Sequence, residues 1–376
     1  MKVICDRSAL LEAVGSLSSV APTRTPKDVL RCIKMTAADG EMSLVCTDLE
    51  LALHCTIGSI EAEEPGDAVI YADKLLAILR DSVDQTVTIE TDGNDSHIRG
   101  ADSHFKVMGY PVADFPKMPD FPGEDDYALE ISAGDLQDLV AKTVFATARE
   151  TSRYAINGVL MVRDAKRIEL VATDGRRLAL AKGTCRPGKA AGDGEKRSIV
   201  PTKALNILLK LLHDGDTTVK IAVTETQVMF DIIQEDGTRA LLITQMVEGT
   251  FPPYEDVIPK DQDKKATFAS DVLASAVRRA SVLSTQDSMG VKLTFSDDTL
   301  TVMSRTPELG EAEIKLPLES YEGEEIEIAF NPNFVIDALK VVQPEPVQIE
   351  MKSSTKPAVF RSGSDFLCVI MPVNMK

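Results

Sequence analysis

The hydrophobic positions of this chain keep two rhythms, and the switch between them comes round three times. Leu10, Val14 and Leu17 fall at i, i+4 and i+7, the stripe of an amphipathic helix. Period-two alternation then marks strands over residues 32–37 and 42–46, joined at Asp39-Gly40, a pair suited to a tight hairpin turn. Helical spacing returns at Leu75, Leu76 and Leu79, which predicts a helix from about Asp73 to Arg80. Val87, Ile89, Phe105 and Val107 read as paired strands.

The second round carries Leu136, Leu139, Val140 and Val144 behind a Ser132–Asp135 capping pair. Its later helix opens at Pro201-Thr202 and holds Leu205, Leu208, Leu209 and Leu212. In the third, Ser270 is expected to cap a helix with Leu273, Val277 and Leu283, and Asn331-Pro332 supplies an N-cap with proline at the first helical position.

Fixed landmarks bind the rounds together. Strand ends read LVCTD at Leu44–Asp48, LVATD at Leu170–Asp174 and a degenerate LTVMS at Leu300–Ser304. Return strands follow around Phe105, Leu241 and Phe366. These steps far exceed the roughly 20–50 residues of solenoid repeats and match a whole domain of roughly 100–150. The expectation is three copies of one domain, 1–125, 126–262 and 263–376, each α+β with two helices on antiparallel sheet. Proline-bearing joints at 114–122 and 251–259 stiffen the connections. The run RPGKAAGDGEKR, Arg186–Arg197, is expected to be a mobile loop.

Composition changes this picture by exclusion. A net charge of −18 opposes gripping nucleic acid through counterion release, although it leaves room for a protein held on DNA by topology. Asp6 and Arg7 interrupt the apolar core an export signal requires, so a cytoplasmic location is expected. Six cysteines without a CxxC pair read as buried, reduced thiols. His54, His97, His104 and His213 lack metal-binding spacing, and Gly188, Gly192 and Gly194 lack that of a phosphate loop. Thr47-Asp48 and Thr173-Asp174 sit at one repeat position where the third copy has Ser304, so they read as strand-end turns rather than acid–base groups. No catalytic residue, metal or cofactor is expected.

Three like domains on stiff joints form an arc if each joint applies the same rotation, and two chains would then complete a six-domain ring. Its helices would present Lys74, Arg80, Lys142, Arg149, Lys203, Lys210, Arg278, Arg279 and Lys340, partly offset by Asp81, Asp138, Asp271 and Asp337.

At VATDGRRLALAKG (Val171–Gly183), RYAINGVL (Arg153–Leu160), FPPYEDVIP (Phe251–Pro259), FNPNFVIDAL (Phe330–Leu339) and MPVNM (Met371–Met375), the chain resembles the bacterial DNA polymerase III β subunit family, the sliding clamps. The resemblance is collinear over the whole chain. It implies a head-to-tail homodimeric ring around duplex DNA, without catalytic activity. Such a ring tethers the polymerase catalytic subunit, the clamp loader and other motif-bearing proteins. A partner-peptide pocket is implied at Arg153, Ile156, Thr173, Gly175, Arg176, Arg177, Leu178, Pro252, Val257, Asn331, Phe334, Val369, Met371, Pro372, Val373 and Met375. DNA contacts are implied at Arg24 and Tyr154, with Lys74, Arg149 and Arg197 as further basic candidates because Asp73 and Ala155 depart from the family pattern. The implied seam sets Phe105 and Val107 against Val282 and Leu283, with Lys74 facing Glu308, Glu311 and Glu313. Arg176, Asp256, Ser288 and Asn374 also depart from the pattern, which bears on peptide preference. From the residues alone, a peptide-binding scaffold that never encircles DNA remains an alternative, as does a hydrolase using Asp48 and Asp174.

Overall fold

The computed structural model describes all residues except 59, 124–125, 149–153, 235–236, 285–289, 297 and 375–376. Within the described residues, six α-helices come in three pairs along the chain: α1 (Arg7–Ser18) and α2 (Ala72–Asp81), α3 (Ala133–Val144) and α4 (Thr202–Leu211), α5 (Ser270–Ala280) and α6 (Pro332–Lys340). The sheets are antiparallel, so the α+β expectation is met.

Local chemistry accounts for most element boundaries. Asp6 caps α1 by accepting the Ala9 N–H at 2.9 Å. Ser132 accepts the Asp135 N–H at 3.1 Å and donates to its carboxylate at 2.7 Å, closing the capping pair ahead of α3. Asn331 accepts the Asn333 N–H at 3.0 Å, with Pro332 as the first residue of α6. The hairpin turn has Asp39 and Gly40 both at positive φ, 53° and 80°.

Three expectations need correction. Ser270 is not a cap: the strand Lys264–Ala269 runs straight into α5, Ala269 holds the cap position, and Ser270 is wholly buried as the first helical residue. The strands Thr86–Asp92 and His104–Val107 are not neighbours, because Asp95–Arg99 lies between them and pairs with both. That strand buries only Ser96 and Ile98 amid His, Arg and Asp, too weak an alternation to stand out. The 186–197 segment is not loop throughout: Arg186–Pro187 pairs with Leu129 and Glu130, and Lys196–Pro201 runs beside Gly158–Arg163.

Backbone contacts divide the chain into two compact units, one of 1–137, 185–194 and 203–246, the other of 138–184, 195–202 and 247–376. In the first, a nine-stranded sheet crosses from first-repeat to second-repeat strands where Leu51–Ile57 meets Arg239–Gln245, with Ala52 opposite Ile243. A five-stranded sheet in the same unit ends at His104–Val107. The helices α1 and α2 bury Leu10, Val14, Leu17, Leu75 and Leu79 completely. In the second unit, another nine-stranded sheet crosses between repeats where Arg177–Thr184 meets Phe366–Ile370, with Leu178 opposite Val369. A four-stranded sheet there ends at Gly310–Pro317. The thiols of Cys5, Cys32, Cys46, Cys55 and Cys368 are buried and pushed up to about 12 by desolvation; Cys185 is half-buried.

Candidate functional site

Two turns with one hydrogen-bond pattern come first. Thr173 donates its hydroxyl to the Arg177 carbonyl at 2.7 Å and accepts the Gly175 N–H at 3.1 Å. Asp174 accepts the N–H groups of Arg176 and Arg177 at 2.9 and 3.0 Å. At the first repeat, Thr47 donates to the Leu51 carbonyl at 2.9 Å and accepts the Leu49 N–H at 2.9 Å, while Asp48 accepts Glu50 and Leu51 N–H groups at 3.1 and 2.8 Å. The carboxylates are turn-formers, as the repeat position implied. In the third repeat Ser304 and Thr306 instead donate to the carbonyls of Ala280, the last residue of α5, and of Leu283 in the 3-10 turn that follows, each at 2.5 Å.

The second-repeat turn is anchored by Arg177, whose side chain is only 9% exposed. Its guanidinium donates to Asp174 at 3.1 Å, to Asp337 of α6 at 2.7 Å and to the Phe145 carbonyl at 2.6 Å. It also lies 4.5 Å from the Phe334 ring centre, so the planar fork is held by four groups at once. Arg177 is therefore a strut that fixes the turn, while Arg176 beside it is exposed.

Over this turn opens a cavity of about 210 Å³ lined by Tyr154, Ile156, Thr173, Gly175, Arg176, Arg177, Leu178, Pro252, Tyr254, Val257, Val369 and Met371. Leu178 and Val369 are buried against neighbouring strands, whereas Val257 and Met371 are 47% and 39% exposed. An apolar hollow with a few polar groups at its edge suits a short peptide segment. Met371 adds an adaptable surface.

The cavity unites Ile156, Thr173, Gly175, Arg176, Arg177, Leu178, Pro252, Val257, Val369 and Met371. Asn331 and Phe334 do not line it: the first caps α6 and the second lies under Arg177. Nor do Pro372 and Val373, the latter donating its N–H to the Ala329 carbonyl at 2.8 Å. Arg153 and Met375 lie outside the described residues. Tyr254 escaped sequence reasoning; it is buried, donates to Glu169 at 2.6 Å, and burial followed by that bond pushes its phenol up. Its place between Pro253 and Val257 in the proline-rich joint was the available signal.

Of the residues expected near DNA, Arg24 and Lys74 are exposed, Lys74 at 3.2 Å from Asp73. Tyr154 lines the cavity just described. Arg197 is exposed and donates to Glu195 at 2.7 Å and Glu255 at 3.1 Å. Arg149 lies outside the described residues, as does Ser288. Of the expected seam, Phe105 and Val282 are 41% and 75% exposed, Val107 and Leu283 are half-buried, and Glu308 and Glu311 are exposed. Among the described residues no group of three or more His, Cys, Asp and Glu is placed to hold a metal, and no helix is long and apolar enough to cross a membrane.

Carboxylates spent on turns and an apolar hollow at a sheet junction define a binding platform. Sequence profiles of the DNA polymerase III beta subunit match throughout: its N-terminal domain over residues 1–119, its central domain over 130–253 and its C-terminal domain over 255–375. The beta sliding clamps of Vibrio cholerae and Escherichia coli K12 are 29% and 28% identical, with full coverage of both chains in each case. Among solved structures, the DNA polymerase sliding clamp from Bacillus subtilis aligns at a TM-score of 0.90 and 26% identity, covering both chains completely. A Pseudomonas aeruginosa sliding clamp bound to griselimycin aligns at 0.89 and 28%, covering all of this chain and 99% of that one. The chain belongs to the DNA polymerase III β subunit family, the sliding clamps of DNA replication, and is a non-catalytic processivity factor.

Proposed function

We propose that two copies of this chain form a closed ring of six like domains around duplex DNA, in the cytoplasm, and that the cavity over the Thr173–Arg177 turn holds partner proteins to that ring. One observation carries the reading. Each internal junction pairs the return strand of one repeat with the strand that follows the hairpin of the repeat before it: Arg239–Gln245 with Leu51–Ile57, and Phe366–Ile370 with Arg177–Thr184. The same rule leaves one return strand, His104–Val107, and one strand following a hairpin, Gly310–Pro317, each at the end of its sheet. A second chain supplies the missing partner to both, head to tail, and these two strand edges are no longer open for aggregation. The exposed Phe105 and the exposed Val282 and Leu309 fall at these edges.

The cavity suits peptides with apolar anchors from the polymerase catalytic subunit, the clamp loader and other partners. DNA is enclosed rather than gripped, which is compatible with a charge of −18. Arg24, Lys74, Arg149, Tyr154 and Arg197 are the proposed local contacts. After loading onto a closed circular duplex, the protein should remain bound through gel filtration and leave when the circle is cut once. Equal retention on closed and cut circles, or a persistent monomer by light scattering, would replace the ring with a peptide-binding adaptor.

A further inference from the structure

The first repeat junction rebuilds the partner cavity in the same register, with Glu50 at the lip position that Arg176 holds. Ala52 stands opposite Ile243 as Leu178 stands opposite Val369. The Gln245 N–H donates to the Glu50 carbonyl at 2.8 Å, as the Met371 N–H donates to the Arg176 carbonyl at 2.9 Å. Leu49 adopts a φ of 81° where Gly175 adopts 83°. Over this turn lies a second hollow of about 70 Å³, bounded by the turn, by Lys117 and Met118 of the proline-rich joint and by Ile243, so that Glu50 faces one lysine across its rim.

Five substitutions separate the two hollows at the turn and its floor, the first being Leu51 for Arg177, which removes the guanidinium strut. Glu50 replaces Arg176, so the exposed charge at the lip changes sign. Gln245 replaces Met371 and brings an amide to the mouth. Ala52 for Leu178 changes the floor, and Leu49 for Gly175 adds an apolar wall that is 52% exposed. The hydrogen bonds of the turn set this left-handed conformation in both repeats, and in the first it is a leucine rather than a glycine that carries the strain. The hollow is also about a third of the partner cavity's volume, so it suits a single apolar anchor rather than several.

We propose that this hollow is a second, weaker docking site for an extended peptide bearing one aliphatic anchor next to a lysine or arginine. The anchor fills the space between Met118 and Ile243, and the cationic neighbour meets Glu50. The partner cavity, with Arg176 at the corresponding lip, lacks that preference. The assignment rests on the reading of the larger cavity as a peptide site, from which its geometry is transferred.

Methyl-detected NMR on the full chain tests it, with acetyl-Gly-Lys-Leu-Arg-Gly-amide as probe and acetyl-Gly-Glu-Leu-Asp-Gly-amide as its charge-reversed control. The Met118 and Ile243 methyl signals should shift saturably with the basic probe, and at least tenfold more weakly with the acidic one. Glu50→Arg, an exposed change, should reverse that order. The Met371 methyl reports the larger cavity in the same sample, using a peptide with glutamine and apolar anchors. Loss of the Met371 response alone would remove the reading of the larger cavity without touching this one. Unmoved Met118 and Ile243 signals at millimolar basic probe, or shifts indifferent to Glu50→Arg, would overturn the proposal.

Discussion

At the scale of single residues, the threonines of the two turns do equal structural work with unequal consequences for binding. Thr47 and Thr173 are both buried, and each hydroxyl both donates and accepts a backbone bond. Replacement by valine keeps the shape and removes both bonds, at a cost of about 1–2 kcal/mol in either case. Only Thr173→Val loosens the segment that carries Arg176, Arg177 and Leu178 into the partner cavity. Affinity of the partner cavity for a peptide with glutamine and apolar anchors, measured by calorimetry, should therefore fall severalfold in Thr173→Val and stay unchanged in Thr47→Val, while both variants lose similar thermal stability. Equal affinity in the two would show that the turn does not position the cavity. The turn itself was legible in the sequence because its chemistry spans five residues. Arg177's hold on Asp337 was not, since the two lie 160 positions apart and no local pattern links them.

At the scale of elements, the three-fold order of helix, hairpin and return strand came directly from periodicity, because each element buries one face and so writes its own period. What periodicity withheld were elements that bury little and pairings between repeats. Asp95–Arg99 was passed over for the first reason. The crossing from Leu51–Ile57 to Arg239–Gln245 was hidden for the second, since both are strong strands whose partners are set by the fold. The Ser270 expectation failed because the cap position, the last strand residue that Asp6 and Ser132 fill in the other repeats, is Ala269 here, and Ser270 is the first helical residue. The proposed seam gives this scale its test. Phe105 is 41% exposed within its own chain, so Phe105→Glu should change intrinsic stability by no more than about 0.5 kcal/mol. Across a strand-to-strand seam it would bury a charge against apolar groups. Sedimentation should show dimer turning to monomer at micromolar concentration with secondary structure intact. A variant that stays dimeric would place the interface elsewhere.

At the scale of the whole molecule, charge and topology pull in opposite directions, and the balance is measurable. A protein that holds DNA by neutralising six to ten phosphates loses roughly 10³–10⁵ in affinity between 50 and 200 mM salt. A chain with 41 basic and 59 acidic residues has little capacity for such a grip, and Lys74 and Arg197 already face Asp73, Glu195 and Glu255 at 2.7–3.2 Å. A closed ring needs no grip, because release requires opening a seam rather than shedding phosphate contacts. On the proposed assembly, retention on closed circles after loading should be nearly flat from 50 to 200 mM salt, with any loss following the dissociation of the dimer. Binding to short linear duplexes should stay weak over the same range. A steep salt dependence on closed circles that left the dimer whole would mean that phosphate contacts, not enclosure, hold the protein on DNA.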